Sequence, residues 1–319
     1  MFTGDFPMRQ TVLVIAGLLV LLPAAYRGLV PERCDRSHAA VDCQGGVIPP
    51  HANDGTQPLG LEDRELQQHL STQGTLLMEQ GRTAKMDGLI KQLELDRCDL
   101  DLAEPQELAH DPVQVYARAR DSVVVVAGLR NCGKCQKMHA SNATGFFISA
   151  TGAILTNYHV VNDPEKMALV VMTADRHVYP VQRILAASRA DDLAIIQIDP
   201  QDQTAAPLPI AFESPPVGSP VSVISHPAGR FYYYTSGIVS RHARVPSDGN
   251  VVDRLMITAD FARGSSGAPV FNNKGQVIAV VKSTDSVYYQ EKDGGQKNLQ
   301  MVMKTCIPSR SLTKLIGNL

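Results

Sequence analysis

Between Ser122 and Thr305 the sequence carries ten short apolar or β-branched runs, none longer than nine residues, each closed by turn residues. Runs of this length suit strands and are too short for ordinary helices. The first group is "SVVVVAG" (Ser122–Gly128), "TGFFISA" (Thr144–Ala150), "ALVVMT" (Ala168–Thr173) and "LAIIQI" (Leu193–Ile198). A Pro-rich stretch, Asp199–Pro220, reads as a crossing. The second group is Val221–His226, Tyr232–Ser240, Arg254–Asp260, Pro269–Asn272, Gln276–Thr284 and Leu299–Thr305, with Asp293-Gly294-Gly295 as a hairpin turn between the last two. Two such groups predict a double β-barrel or a sandwich. The 24 Gly and 20 Pro, against 5% aromatic residues, fit a turn-rich β fold.

The N-terminal third differs. Arg9 precedes an apolar run, Thr11–Ala25, whose 15 residues suit the core of a secretory signal and fall short of the ~20 a spanning helix needs. Residues 1–27 are therefore expected to be a signal peptide or, uncleaved, a signal anchor that tethers the chain to a membrane. Residues 28–60 read as a linker. Residues 61–112 space Leu, Met and Ile at three and four positions in two stretches broken at Gly81, as amphipathic helices do. Their apolar stripe is expected to pack against the body of the protein or a second copy. Six cysteines agree with an exported chain and suggest disulfides, with Cys34–Cys43 and Cys132–Cys135 as local pairings. The spacing of "CGKC" (Cys132–Cys135) also occurs in zinc sites, but no second pair with that spacing exists, so no metal is expected. "NAT" (Asn142–Thr144) fits a glycosylation sequon.

A net charge of −2 leaves no basic excess for nucleic acid. No nucleotide-binding glycine loop is found, and no cofactor is expected. The chemistry gathers instead around "RGSSGAPVFN" (Arg263–Asn272), a tight turn with Ser266 at its centre. A serine becomes a useful nucleophile when a base takes its proton and a carboxylate orients that base. Of nine histidines none follows Ser266, so the order serine, acid, histidine is excluded. The order histidine, acid, serine remains. His159 in "GAILTNYHVVND" follows a strand, and Asp192 in "RADDLAIIQI" immediately precedes one.

"ATGFFISATGAILTNYHVV", "DDLAIIQI", "YTSGIVS", "RGSSGAPVFNNKGQVIAV" and "CIPSRSLTKLI" resemble, in order and spacing, the signature blocks of the HtrA/Deg branch of trypsin-like serine proteases, over residues 113–319. The resemblance implies an all-β protease domain of two packed antiparallel β-barrels, about 113–199 and 220–309, preceded by the helical segment. It implies His159 as general base, Asp192 as its orienting acid and Ser266 as nucleophile, with the backbone N–H groups of Gly264 and Ser266 as oxyanion hole. Polypeptide substrates would lie extended beside "VVKST" (Val280–Thr284), with Phe261, Val281, Lys282 and Ser283 as contacts.

The sequence also departs from the pattern. Ser265 stands where digestive relatives keep the aspartate used in zymogen activation. Asp260 stands where proteases that cut after Lys or Arg carry a pocket aspartate; with Phe261 beside it, small or apolar side chains are the expected preference. No PDZ domain is expected after the protease blocks. The family makes a trimer a reasonable expectation, and export makes the location periplasmic or extracytoplasmic. The rival to a serine endopeptidase is a silent or latent protease fold kept for peptide binding or scaffolding.

Overall fold

In a computed structural model the described residues are 60–317, apart from 105, 108–110, 134–137, 202–205 and 293–294. The apolar run at 11–25, the linker, the Cys34–Cys43 pairing, half of the Cys132–Cys135 pairing and two residues of the Asp293-Gly294-Gly295 turn lie outside them. Among the described residues no helix is long and apolar enough to cross a membrane. Cys98 and Cys306 are free thiols.

Helix α1 (Asp63–Glu79) buries Leu66, Leu70, Gly74 and Leu77, one face at helical spacing. A shorter helix, α2 (Met86–Lys91), buries Met86 and Leu89. The chain then departs from expectation: instead of passing directly into strands after Pro112, residues Pro112–Ala119 form helix α3. The cause is local. The Asp111 carboxylate accepts from Val113 N–H at 2.9 Å and Gln114 N–H at 3.1 Å, and Pro112 takes the first helical position, where a missing N–H costs nothing.

The first β half has seven antiparallel strands: β1 (Val123–Asn131), β2 (Met138–Phe147), β3 (Ala153–Thr156), β4 (Ala168–Met172), β5 (Val178–Pro180), β6 (Arg183–Ser188) and β7 (Leu193–Gln197). A short helix, α4 (Tyr158–Val161), follows β3. The sheet order is β5-β4-β1-β2-β3-β7-β6. The unbroken apolar run of β1 follows from burial on both faces. Val125, Ala127 and Leu129 meet Leu66 and Leu70 of α1, while Val124 and Val126 point into the curled sheet with Phe147, Ile154 and Ile196.

The second half is a closed antiparallel barrel of β8 (Pro220–Ser225), β9 (Tyr233–Ser247), β10 (Asn250–Ile257), β11 (Pro269–Phe271), β12 (Val277–Lys292) and β13 (Gly295–Pro308). Its order is β10-β13-β12-β11-β8-β9, with β9 pairing back to β10. Closure pairs every barrel strand on both sides, although β12 continues past the end of its β11 partner. β12 and β13 run well beyond it as a hairpin whose strands still pair at Lys292 and Gly295. The fold is thus two antiparallel β halves, a curled sheet and a closed barrel, preceded by helices.

The two halves share a core in which Phe146, Leu155 and Ile195 pack with Ile224, Phe271 and Ile307. The crossing contributes to it through Leu208 and Ile210, and Ile210 bridges to Val277. The N-terminal segment is fastened at several places. Asp63 accepts from Phe231 N–H at 3.0 Å, Gln67 donates to the Ala140 carbonyl at 3.0 Å, and Cys98 pairs in parallel with Ile316.

Candidate active site

The cleft between the halves brings together the residues singled out from the sequence. His159 lies on α4, immediately after β3, and its backbone N–H donates to Asp192 Oδ1 at 3.0 Å. Its ring Nδ1 lies 2.9 Å from Asp192 Oδ2 and 3.1 Å from Oδ1. A carboxylate can only accept, so Nδ1 carries the hydrogen and Nε2 is left as the basic nitrogen. Asp192 is held in a left-handed conformation, φ 66°, uncommon for a residue with a side chain. Its carbonyl accepts from the buried Asn157 amide at 2.9 Å. Burial pushes the Asp192 carboxyl up, but hydrogen bonds and charge from His159 and Lys282 outweigh it, and the net shift is below the ordinary value.

Its neighbour Asp191 is separated from this chemistry. Lys314 Nζ binds it at 2.9 and 3.0 Å, and Ser188 donates to it at 3.1 Å. The two adjacent carboxylates therefore have different partners, and it is Asp192 that faces the histidine.

Ser266 sits on the turn before β11. Gly264 and Gly267 take φ of 100° and 86°, and a side chain at either would collide with backbone: a Cβ would meet the His226 carbonyl oxygen at 2.4 Å and the Thr144 carbonyl oxygen at 2.1 Å. Thr144, on β2, ties the turn to the first half. Its N–H donates to the Ser266 carbonyl at 2.9 Å, its hydroxyl donates to the Gly264 carbonyl at 2.8 Å, and that hydroxyl accepts from His226 N–H at 3.3 Å. The Arg263 carbonyl accepts from Ala228 N–H at 2.7 Å. Because the peptide is trans and planar, this directs the Gly264 N–H the opposite way. Ser265 is fully buried, its hydroxyl 2.9 Å from that of Ser225. A neutral pair of hydroxyls thus fills this buried position.

Two cavities of about 600 and 590 Å³ meet at this point, and His159, Arg263 and Ser266 line both. They form two arms of one cleft with the serine at the joint. One arm holds Phe261, Val281, Lys282 and Ser283, the four contacts expected from the sequence. Pairing of β11 with β12 ends at Val280, so Lys282–Thr284 offer an edge on that side. Asp260 does not line this arm; it is exposed and pairs with Lys304 at 2.7 Å. The other arm runs past Val160 to Arg130 and Lys166 and includes Gln67 of α1.

The sequence reading missed Thr144, Asn157, Ser225 and Ala228, whose work depends on contacts distant in the chain. His177 also pairs with a carboxylate, Asp175 at 2.8 Å, but on an exposed turn without a serine. His226 is fully buried beside Phe231 and Tyr232, and burial pushes its ring down to about 3, so it is neutral and packs rather than reacts. Among the described residues no cluster of ligands could hold a metal.

The chain is similar in part to known proteins. Residues 143–280 match the family described as trypsin-like peptidase domain. A probable periplasmic serine endoprotease DegP-like of Ectopseudomonas mendocina is 35% identical over 152 residues, 47% of this chain and 31% of that protein. A putative serine protease HhoA of Synechocystis is 30% identical over 146 residues, 44% of this chain and 36% of that protein. The match thus spans about a third of the length of these relatives. A solved structure, Deg5, superposes with a TM-score of 0.49 and 20% identity, covering 63% of this chain and 90% of that one.

Proposed function

We propose that this chain, which carries an HtrA/Deg-like trypsin-fold serine protease domain, is an endopeptidase that hydrolyses peptide bonds of misfolded or regulatory proteins through His159, Asp192 and Ser266. The observation that carries the reading is the His159–Asp192 pair opening onto the joint of the cleft where Ser266 stands. Ser266 Oγ attacks the peptide carbonyl carbon while His159 Nε2 takes its proton; the imidazolium is stabilised by Asp192 through Nδ1–H. The oxyanion is received by the N–H groups of Gly264 and Ser266, a reading supported by the anchored Arg263 carbonyl. His159 returns the proton to the leaving amine as the C–N bond breaks. A water molecule, deprotonated by the same nitrogen, then cleaves the ester and frees Ser266.

The polypeptide lies extended along Lys282–Thr284, with Val281 and Phe261 beside it. A small or apolar residue at the cleavage position is supported by the pairing of the exposed Asp260 with Lys304 and by the state of Asp192, a carboxylate lining that arm that is already bonded to His159 and Lys282. An extracytoplasmic location is supported by the periplasmic description of the relatives.

An active-site serine probe tests the assignment. Wild type is expected to label and to cut an unfolded protein. Ser266→Ala is expected not to label and to lose ~10⁴-fold or more in turnover. Labelling only after removal of residues 28–110 would instead establish a latent enzyme. If neither protein labels or cuts, a peptide-binding module is the correct reading.

A further inference from the structure

Lys282 does more than line the substrate arm. It falls at a break in the β12–β13 ladder: Val281 pairs with Cys306 and Ser283 with Thr305, so Lys282 is the extra residue of a bulge. Bulges re-aim side chains, and this one sends the lysine inward. Its ammonium lies 2.7 Å from Asp192 Oδ2, the oxygen that also accepts from His159 Nδ1 at 2.9 Å. The Lys282 side chain is 29% exposed and that of Asp192 7%, so solvent screens the contact only in part. The Lys282 carbonyl, in turn, lies 3.4 Å from the Ser266 hydroxyl. One bulged residue thus touches two members of the triad.

Resting on the protease reading above, we propose that Lys282 is a positioning residue that divides the charge of Asp192 between its own ammonium and the ring of His159, so that the base works at lower pH than an undivided carboxylate would allow. When Ser266 gives up its proton the ring becomes a cation, and the Asp192 charge is what stabilises it. An ammonium already seated on that carboxylate offsets part of the charge and repels the new cation across one shared oxygen. The imidazolium is then stabilised less than it would be by an undivided carboxylate.

The other charges facing the pair come from several elements. Arg254 of β10 is buried, donates to the Ala190 carbonyl at 3.0 Å and is attracted to both Asp191 and Asp192. Asp191 is held by Lys314. Arg189 and Arg263 line the Lys282 arm, and Arg130, His139 and Lys166 the other. Among the described residues, Lys282 and His159 are the side chains bonded to the Asp192 carboxylate itself.

The test is the pH dependence of kcat/KM for the full chain with an unfolded protein substrate, together with the NMR titration of His159 in a Ser266→Ala background. Lys282→Met and Lys282→Gln are expected to move the acidic midpoint, and the ring titration, upward by about one pH unit. Lys282→Arg, which keeps the charge, is expected to retain the wild-type midpoint. Two neutral variants guard against failure of one to fold. An unmoved midpoint in a folded neutral variant, or a change confined to KM, would overturn the proposal and leave Lys282 as a substrate contact. The NMR arm separates the two claims. If the ring titration shifts but no variant labels or cuts, it is the protease reading that fails.

Discussion

At the scale of single residues, the site is built by carbonyls and hydroxyls as much as by the side chains of His159, Asp192 and Ser266. Thr144 holds the nucleophile turn from the opposite half of the protein through both its N–H and its hydroxyl. Replacing it by Val keeps the shape and removes the hydroxyl, leaving the Gly264 carbonyl and His226 N–H without that partner. Thr144→Val is expected to cost about 1–3 kcal/mol in denaturant unfolding. It is also expected to lower kcat by ~10- to 100-fold with KM little changed, since the turn is displaced relative to His159. Loss of stability with unaltered kcat would show that Thr144 supports the fold without aligning the turn. His159, Asp192 and Ser266 were legible in the sequence because their order and local contexts are one-dimensional facts. Thr144 and Asn157 were not, because each acts on a residue remote in the chain. Lys282 was legible as a lining residue only; its hold on Asp192 arises from a bulge that no pattern of residue types announces.

At the scale of elements, strands with strong β-branched runs were the readable part. β1, β4, β7 and β8 lie where the pattern puts them, within one to three residues at each end. Strands β5 and β6 were passed over. β5 is only three residues long and half-buried throughout, and β6 mixes Ala with an exposed Arg, so neither gives a run of apolar residues. Helix α3 was hidden by its Val and Tyr content, although Asp111-Pro112 is a start signal in its own right. The expected amphipathic stripe of α1 is present, and its destination is the outer face of β1 and β4. Leu70, fully buried there, is expected to cost about 2–5 kcal/mol when replaced by Ala. Urea unfolding measures this. A loss below 1 kcal/mol would mean that α1 packs too loosely to brace the cleft through Gln67 and Asp63.

At the scale of the whole molecule, neither half holds the site alone. His159 and Asp192 come from the open sheet, Ser266 and Lys282 from the closed barrel, and the core shared by Phe146, Ile195, Ile224 and Phe271 sets their separation. The helical segment is fastened into the same body by the pairing of Cys98 with Ile316, where Cys98 N–H donates to the Leu315 carbonyl at 2.9 Å and Gly317 N–H to the Cys98 carbonyl at 2.8 Å. Leu312, Leu315 and Ile316 are buried beside it. Removing residues 312–319 is therefore expected to lower Tm and to open the chain near Arg97 to limited proteolysis, while α1 stays protected. Unchanged cleavage near Arg97 would mean that the pairing holds nothing in place. The contact also has a consequence in time. Arg97 and Ile316 are 219 residues apart in sequence, so the strip around Cys98 has nothing to pair with until the residues around Ile316 have been made. A ribosome stalled between Asp192 and Ser266 would leave a chain with His159 and Asp192 made, no serine turn, and an unfastened strip open to chaperones and proteases.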